Sequence, residues 1–376
     1  MQNRKCGITT ITFGTNYGNR LQNYALQKVL KNMNIDSETI QYEPKYLDVV
    51  KNDNSIFQKI DKNLKIGLKS IFRKIYKRVN KKQFEIKENK RNDEFEEFKE
   101  KYIKFSKNNY KYGDNLNKIN NDYDFFITGS DQVWNPGYEG SNEFYYLSFS
   151  NQNKTIAYAP SFGVSEIPKE KENFYAKMLK NIKYLSVREE RGKEIIKELT
   201  GRDAKVVLDP TLLLDKEEWM KISKKFETNS KYVATYFLGI LTSSKRKEIE
   251  KFARKKHLKI INIYDRNDIN SEFCGPSEFL GILANAEYIF TDSFHGTVFS
   301  IIFNKPFTVW ERYDGFKTAS MSSRIESILK MLNLEKCQKI INKEDIDFNN
   351  VKEVLKLKRD ESLKFLQNSI QEINNK

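Results

Sequence analysis

Short apolar runs recur along the chain, separated by stretches in which apolar positions return every three or four residues. The first pattern reads as buried strands and the second as the inner faces of helices. Residues 8–13 are predicted as a strand, and 23–32 as a helix with Leu21, Ala25, Leu26, Val29 and Leu30 turned inward. Further strands are expected at 38–42, 124–128, 155–159, 184–187 and 205–208, the last followed by Asp209-Pro210-Thr211, where proline stops the ladder. A polar patch at 221–231 precedes a second set. Its expected strands are 232–238, 259–264, 288–291 and 306–309, and its expected helices 245–256, 277–284, 297–303 and 323–332. From residue 345 the pattern is that of a terminal helix with a frayed, polar end. Alternating strands and helices argue for parallel α/β architecture. The expectation is therefore two doubly wound, Rossmann-like α/β domains, 1–225 and 226–376, with a ligand cleft between them.

Length agrees, since 376 residues exceed a typical single domain. One segment interrupts the rhythm: residues 55–107 are charged and helical in pattern. Between Lys59 and Arg91 there are 13 basic and 3 acidic residues, which carry most of the chain's net charge of +15. Within it Phe57, Ile60, Leu64, Leu68, Ile71, Phe72, Ile75 and Val79 recur at helical spacing, making a basic amphipathic helix. Such a helix either packs its stripe on the domain or docks peripherally on an anionic membrane surface. No nucleic-acid motif accompanies the charge, so nucleic acid is not expected as a partner. No run of 18 apolar residues exists, which excludes a spanning helix on composition. The run 7–13 is too short and threonine-rich for a secretory signal, and Cys6, Cys274 and Cys337 are too far apart for metal or disulfide spacing. A cytoplasmic protein without a metal site is expected.

Four clusters at strand ends carry candidate chemistry. Gly14-Thr15-Asn16-Tyr17-Gly18-Asn19-Arg20 follows the first strand; its glycines permit tight turns, and Asn16 and Asn19 offer donors. Its glycine spacing fits neither a dinucleotide fingerprint nor a P-loop. Gly129-Ser130-Asp131-Gln132-Val133-Trp134-Asn135 follows another strand. Here Asp131 could take a proton from a hydroxyl, and Trp134 either stacks on a sugar face or belongs to the core. Arg188, at the end of 184–187, either clamps phosphate or carboxylate or pairs with Glu189 or another neighbour. The fourth, Thr291-Asp292-Ser293-Phe294-His295-Gly296, places one of only two histidines where a strand turns into a helix. Imidazole titrates near neutrality, and the helix start favours an anion. Arg312 and Arg324 lie downstream as further anion-binding candidates.

As a set these strings resemble the polysaccharide pyruvyl transferases. The resemblance runs from Asn16-Tyr17-Gly18-Asn19 and Leu21-Gln22-Asn23-Tyr24-Ala25-Leu26, through Tyr123-Asp124 and Gly129-Ser130-Asp131-Gln132-Val133-Trp134-Asn135. It continues in Tyr158-Ala159-Pro160-Ser161-Phe162-Gly163, Ser186-Val187-Arg188-Glu189, Asp209-Pro210-Thr211 and Asp292-Ser293-Phe294-His295-Gly296-Thr297. Segment 55–107 matches poorly. The resemblance implies a fold similar to GT-B glycosyltransferases. It also implies transfer of the enolpyruvyl unit of phosphoenolpyruvate onto two sugar hydroxyls, giving a pyruvate ketal and phosphate. On that reading Arg188, then Arg324, holds the donor's anionic groups. His295 is the general acid for the methylene carbon, Asp131 the base for the hydroxyl, and Asn16, Asn19, Ser130, Trp134, Ser293 and Gly296 line the substrates. Phosphoenolpyruvate is donor substrate and no cofactor is implied. The acceptor is expected to be a nucleotide- or lipid-linked glycan precursor, met in the cytoplasm or at the inner membrane face. A GT-B glycosyltransferase using a nucleotide sugar is the alternative, and a carbohydrate- or anion-binding module without turnover the non-enzymatic one.

Overall fold

The computed structural model describes residues 4–44, 76–137, 143–313, 323–338 and 346–374. Its first sheet has strands β1 (Arg4–Thr9), β2 (Ile35–Glu43), β3 (Phe105–Lys111), β4 (Phe125–Thr128), β5 (Thr155–Ala157), β6 (Tyr184–Val187) and β7 (Lys205–Val206). They run in the order β3-β2-β1-β4-β5-β6-β7, every pair parallel. The second sheet, β8 (Tyr232–Tyr236), β9 (Lys259–Ile263), β10 (Tyr288–Thr291) and β11 (Phe307–Val309), is also parallel, ordered β11-β10-β8-β9. In both sheets the chain reverses its direction of growth, between β1 and β4 and between β8 and β10. A crevice opens at the carboxyl ends of strands at such points. The central strands are buried on both faces, which is why β4 and β10 are continuous apolar runs, Phe125-Phe126-Ile127-Thr128 and Tyr288-Ile289-Phe290-Thr291.

The longer helices are α1 (Tyr17–Asn32), α2 (Lys81–Tyr102), α3 (Lys169–Lys180), α4 (Glu190–Thr200), α5 (Ser243–Lys255), α6 (Pro276–Asn285), α7 (Phe294–Ile302), α8 (Ser323–Met331) and α9 (Phe348–Asn374). Elements that differ from the periodicity reading include β1, α1 and β3. Strand β1 starts at Arg4 rather than residue 8 because its charged residues are absorbed: the Arg4 guanidinium lies 4.6 Å from the Phe125 ring centre, and Lys5 Nζ is 3.0 Å from Glu38. Helix α1 begins at Tyr17 rather than residue 23, with Asn16 as N-cap accepting from the Asn19 amide at 3.3 Å. Its first turns bury the polar Asn19, Arg20, Gln22 and Asn23, which hide the helical period from a hydrophobicity reading. Strand β3 was not expected; it is a polar edge strand following the point where α2 ends.

Within the interrupting segment, the described helix α2 acts as a strap. Within α2, Lys87 donates to the carbonyls of Ile269 and Ser271, and Glu94 accepts from the Gly275 amide. Arg91 is buried, stacks 3.6 Å from the centre of the Tyr264 ring, and donates to the Thr15 hydroxyl and carbonyl. Helix α2 therefore holds the loop after β1 to the loops after β9. Of the basic amphipathic stripe only Val79, exposed at 77%, belongs to the described residues. The loop 135–142 is likewise described only to residue 137.

Near the start of helix α9, Val351 and Leu355 line one cavity with Ile301 and Ile302 of α7. The helix then returns to the first sheet: Arg359 Nη2 donates to the Leu214 carbonyl at 2.8 Å, Ser362 accepts from the Leu208 amide at 3.0 Å, and the Ile370 carbonyl accepts from Arg4 at 3.0 Å. One continuous core contains Cys6 and Ile8 of β1, Leu21, Ala25 and Leu26 of α1, Ala234 of β8 and Ile289 of β10. Tyr17 stacks on Phe279 of α6, with centroids 4.3 Å apart. No helix among the described residues is long and apolar enough to cross a membrane.

Candidate active site

Loops leaving β1, β4, β6 and β7 meet the loop leaving β10. The tightest turn follows β4: Gly129 has φ +111°, and a Cβ there would lie 2.3 Å from the Tyr158 carbonyl oxygen, so only glycine fits. Ser130 is held from both sides of this turn. Its amide donates to Gln22 Oε1 at 3.1 Å, its carbonyl accepts from the Thr10 hydroxyl at 3.2 Å, and its hydroxyl donates to Asp209 Oδ2 at 2.8 Å.

Asp209, on the loop after β7, is the hub. Its Oδ2 also accepts from Arg188 Nη1 at 2.7 Å, while Oδ1 takes the Thr211 hydroxyl at 2.6 Å and the Thr211 amide at 3.0 Å. His295 Nε2 stands 3.9 Å from the same Oδ1. Burial alone would raise this carboxyl; Arg188, His295 and Thr211 outweigh it and hold it at about 2. Asp209 is thus an ionised anchor at every physiological pH.

Arg188 faces a carboxylate at each nitrogen: Asp209 at Nη1, Asp131 Oδ1 3.6 Å from Nη2, and Glu189 Oε2 4.0 Å from Nε. Desolvation works against its charge, but these three acids more than restore it. Its guanidinium lies 4.3 Å from the centre of the Phe294 ring, whose other cationic neighbour, Arg324, is 6.0 Å away. Arg324 is lowered to about 10, first by burial and then by Arg188. Glu189 is raised by burial, against the opposing pull of Arg188, the Ser161 hydroxyl at 2.7 Å, Arg324 and the Phe162 amide.

His295 lies in the first turn of α7, not before it, because the helix starts at Phe294 rather than Thr297. Ser293 is the N-cap, its side chain accepting from the Gly296 amide at 3.3 Å. The imidazole presses on the first turn of α1: a Cβ on Gly18 would lie 2.0 Å from Nδ1. Two helix N-termini, one from each sheet, therefore meet at this ring and favour an anion. Burial, with Arg188 and Arg324, lowers the His295 pKa against the pull of Asp209 and Asp131. The surroundings of this imidazole thus weaken its hold on a proton.

The remaining expectations divide. Asp131 is buried, its Oδ1 taking the Gln132 amide at 2.9 Å while facing Arg188. Asn19 is buried and Asn16 exposed at the start of α1. Gly296 packs on Thr291, where a Cβ would meet Oγ1 at 2.3 Å. Trp134 is no sugar platform: it is fully buried, stacked 5.5 Å from Tyr146, with its indole N–H on the Tyr145 carbonyl. Arg312 Nε is 3.9 Å from Asp292, whose carboxylate takes the amides of Leu238 and Gly239 at 2.7 and 2.8 Å and so braces the turn after β8. The sequence reading quoted Asp209, Glu189, Gln22 and Gly18 in its strings but gave none of them a catalytic or substrate role. For Asp209 a signal existed, an aspartate before Pro-Thr at a strand end; nothing local to Gln22 or Gly18 shows that they support Ser130 and His295.

A family model described as polysaccharide pyruvyl transferase matches residues 16–312, which contain most of these side chains but not Arg324. No curated protein matches the chain in sequence. Solved structures that align over most of it include the S. aureus MnaA–UDP complex (11% identity, 96% of this chain and 89% of that one, TM-score 0.45). Another is the Methanocaldococcus jannaschii UDP-GlcNAc 2-epimerase with UDP-GlcNAc and UDP (14% identity, 94% and 99%, TM-score 0.43). A third is an alpha-glucosyltransferase with UDP and a 13-mer DNA (7% identity, 99% and 100%, TM-score 0.44).

Proposed function

Because the chain belongs to the polysaccharide pyruvyl transferase family, we propose that it moves the enolpyruvyl unit of phosphoenolpyruvate onto two hydroxyls of a sugar in a polysaccharide precursor. The products are a cyclic pyruvate ketal and phosphate. The observation that carries this reading is the buried convergence of Arg188, Asp209 and His295 at the carboxyl ends of strands from both sheets. The donor bears a phosphate and a carboxylate, and two buried guanidiniums with two helix N-termini supply matching positive potential without a metal. Arg188 offers Nε and Nη2, which make no hydrogen bond among the described residues, while Asp209 fixes its plane through Nη1. His295 takes the proton of an attacking hydroxyl. Asp131 orients Arg188, and Ser130 orients Asp209. The acceptor is a nucleotide- or lipid-linked glycan.

The test is incubation with phosphoenolpyruvate and candidate glycans, reading ketal mass gain and phosphate release together. Arg188→Ala should raise the donor KM steeply, and His295→Ala should lower kcat by about 10²–10⁴-fold. Full transfer by His295→Ala would remove its proposed role. Indifference to phosphoenolpyruvate together with tight binding of UDP-type nucleotides would replace the reading with nucleotide-sugar transfer.

A further inference from the structure

Ketal formation moves several protons. The methylene carbon of the donor gains a proton, and two acceptor hydroxyls each lose one. The leaving phosphate carries one of those away. Two protein groups, one giving a proton to carbon and the other taking one from oxygen, let both transfers proceed together. Asp209 cannot give one, because it is held ionised at about 2. His295 holds a proton less readily than an ordinary imidazole, because burial, Arg188 and Arg324 oppose its charge.

Glu189 is placed differently from both. Only one of its oxygens is engaged by a side chain, with Ser161 donating to Oε1 at 2.7 Å; Oε2 is buried without a hydrogen bond among the described residues, 4.0 Å from Arg188 Nε. The groups acting on it come from several elements: Arg188 at the end of β6, Ser161 and the Phe162 amide after β5, and Arg324 at the start of α8, while Asp131 after β4 faces the same Arg188. The local charge points the same way. Three carboxylates, Asp131, Glu189 and Asp209, face Arg188, and Arg324 acts on Asp131 and Glu189. A donor with two anionic groups entering there leaves Glu189 in excess, and the favourable response is to bind a proton. Burial already biases the group in that direction.

Resting on the function proposed above, we infer that Glu189 is the general acid of the reaction, giving its proton to the donor's methylene carbon while His295 takes the proton of the first attacking hydroxyl. As the carbon–hydrogen bond forms, C2 becomes electrophilic and the first hydroxyl oxygen bonds to it. The second hydroxyl then displaces phosphate, which leaves with that hydroxyl's proton. The proton on His295 returns through solvent to Glu189. Groups whose surroundings push their proton affinities apart divide acid from base work in this way.

The experiment compares the parent protein with Glu189→Gln and Glu189→Asp. Calorimetry of phosphoenolpyruvate binding in buffers of different ionisation enthalpy should show net proton uptake by the parent, and less by Glu189→Gln. In turnover, Glu189→Gln should lower kcat by about 10²–10⁴-fold with donor KM changed little. The kcat profile of the parent should fall as pH rises through the acid's pKa, and Glu189→Asp should regain part of the rate. Unchanged proton uptake with kcat within about threefold of the parent would overturn this assignment and leave the transferase reading intact. A parent protein that neither binds nor turns over phosphoenolpyruvate would sink both.

Discussion

At the scale of single residues, Asp209 decides the arrangement. Four groups from three loops fix one carboxylate, and without it Arg188 would keep only longer contacts to Asp131 and Glu189. Removing one partner of a buried pair costs about 3–5 kcal/mol, because the other charge is left uncompensated. Asp209→Asn should therefore lower the unfolding free energy measured by urea denaturation by an amount in that range. The pH dependence has a definite sign. The folded value of about 2 is below the ordinary 3.8, so the native state binds fewer protons and Asp209 stabilises above 3.8. That contribution fades as pH falls toward about 2, and Asp209→Asn should show a shallower loss of stability over the same acid interval. Equal acid limbs in the two proteins would contradict the pairing. Only the Thr211 contacts are local to Asp209-Pro210-Thr211; the partners Ser130, Arg188 and His295 lie between 21 and 86 positions away.

At the scale of elements, α2 carries more than its composition suggested. A charged segment reads as solvated, yet Arg91 lies within the core with aromatic faces on it and both Thr15 oxygens in its fork. Thr15 adjoins the cap of α1, whose Gly18 supports His295. The strap thus sets the position of the imidazole from a distance. Arg91→Met should cost about 1.5–3 kcal/mol per charged hydrogen bond lost. It should also lower turnover by up to about 10²-fold, as misplacement of a reacting group does. Arg91→Lys should not restore either, since an ammonium cannot span both Thr15 oxygens while stacking on Tyr264. Thermal unfolding and steady-state kinetics on the two variants would decide; full activity in Arg91→Met would show that α2 is only scaffolding.

At the scale of the whole molecule, two sheets share one apolar core, with α2 and α9 crossing between them. The chain should therefore unfold in one calorimetric transition, with calorimetric and van't Hoff enthalpies equal. Two resolved transitions would show halves that fold independently. The sequence alone determined the alternation of buried strands and helices, the presence of two parallel sheets, and the loops that carry chemistry, because strand burial and helix periodicity are local properties of side chains. It was poorer where polar residues are buried, as at the start of α1 and in α2, since hydropathy cannot distinguish a solvated charge from one satisfied inside. Tertiary structure alone decided that Trp134 belongs to the core and that Arg188 is shared among three acids. It alone placed Glu189 where a proton can be held and His295 where one is hard to keep. Proton affinity depends on the charges and desolvation around a group, and those come from residues brought together only when strands from both sheets end at one crevice.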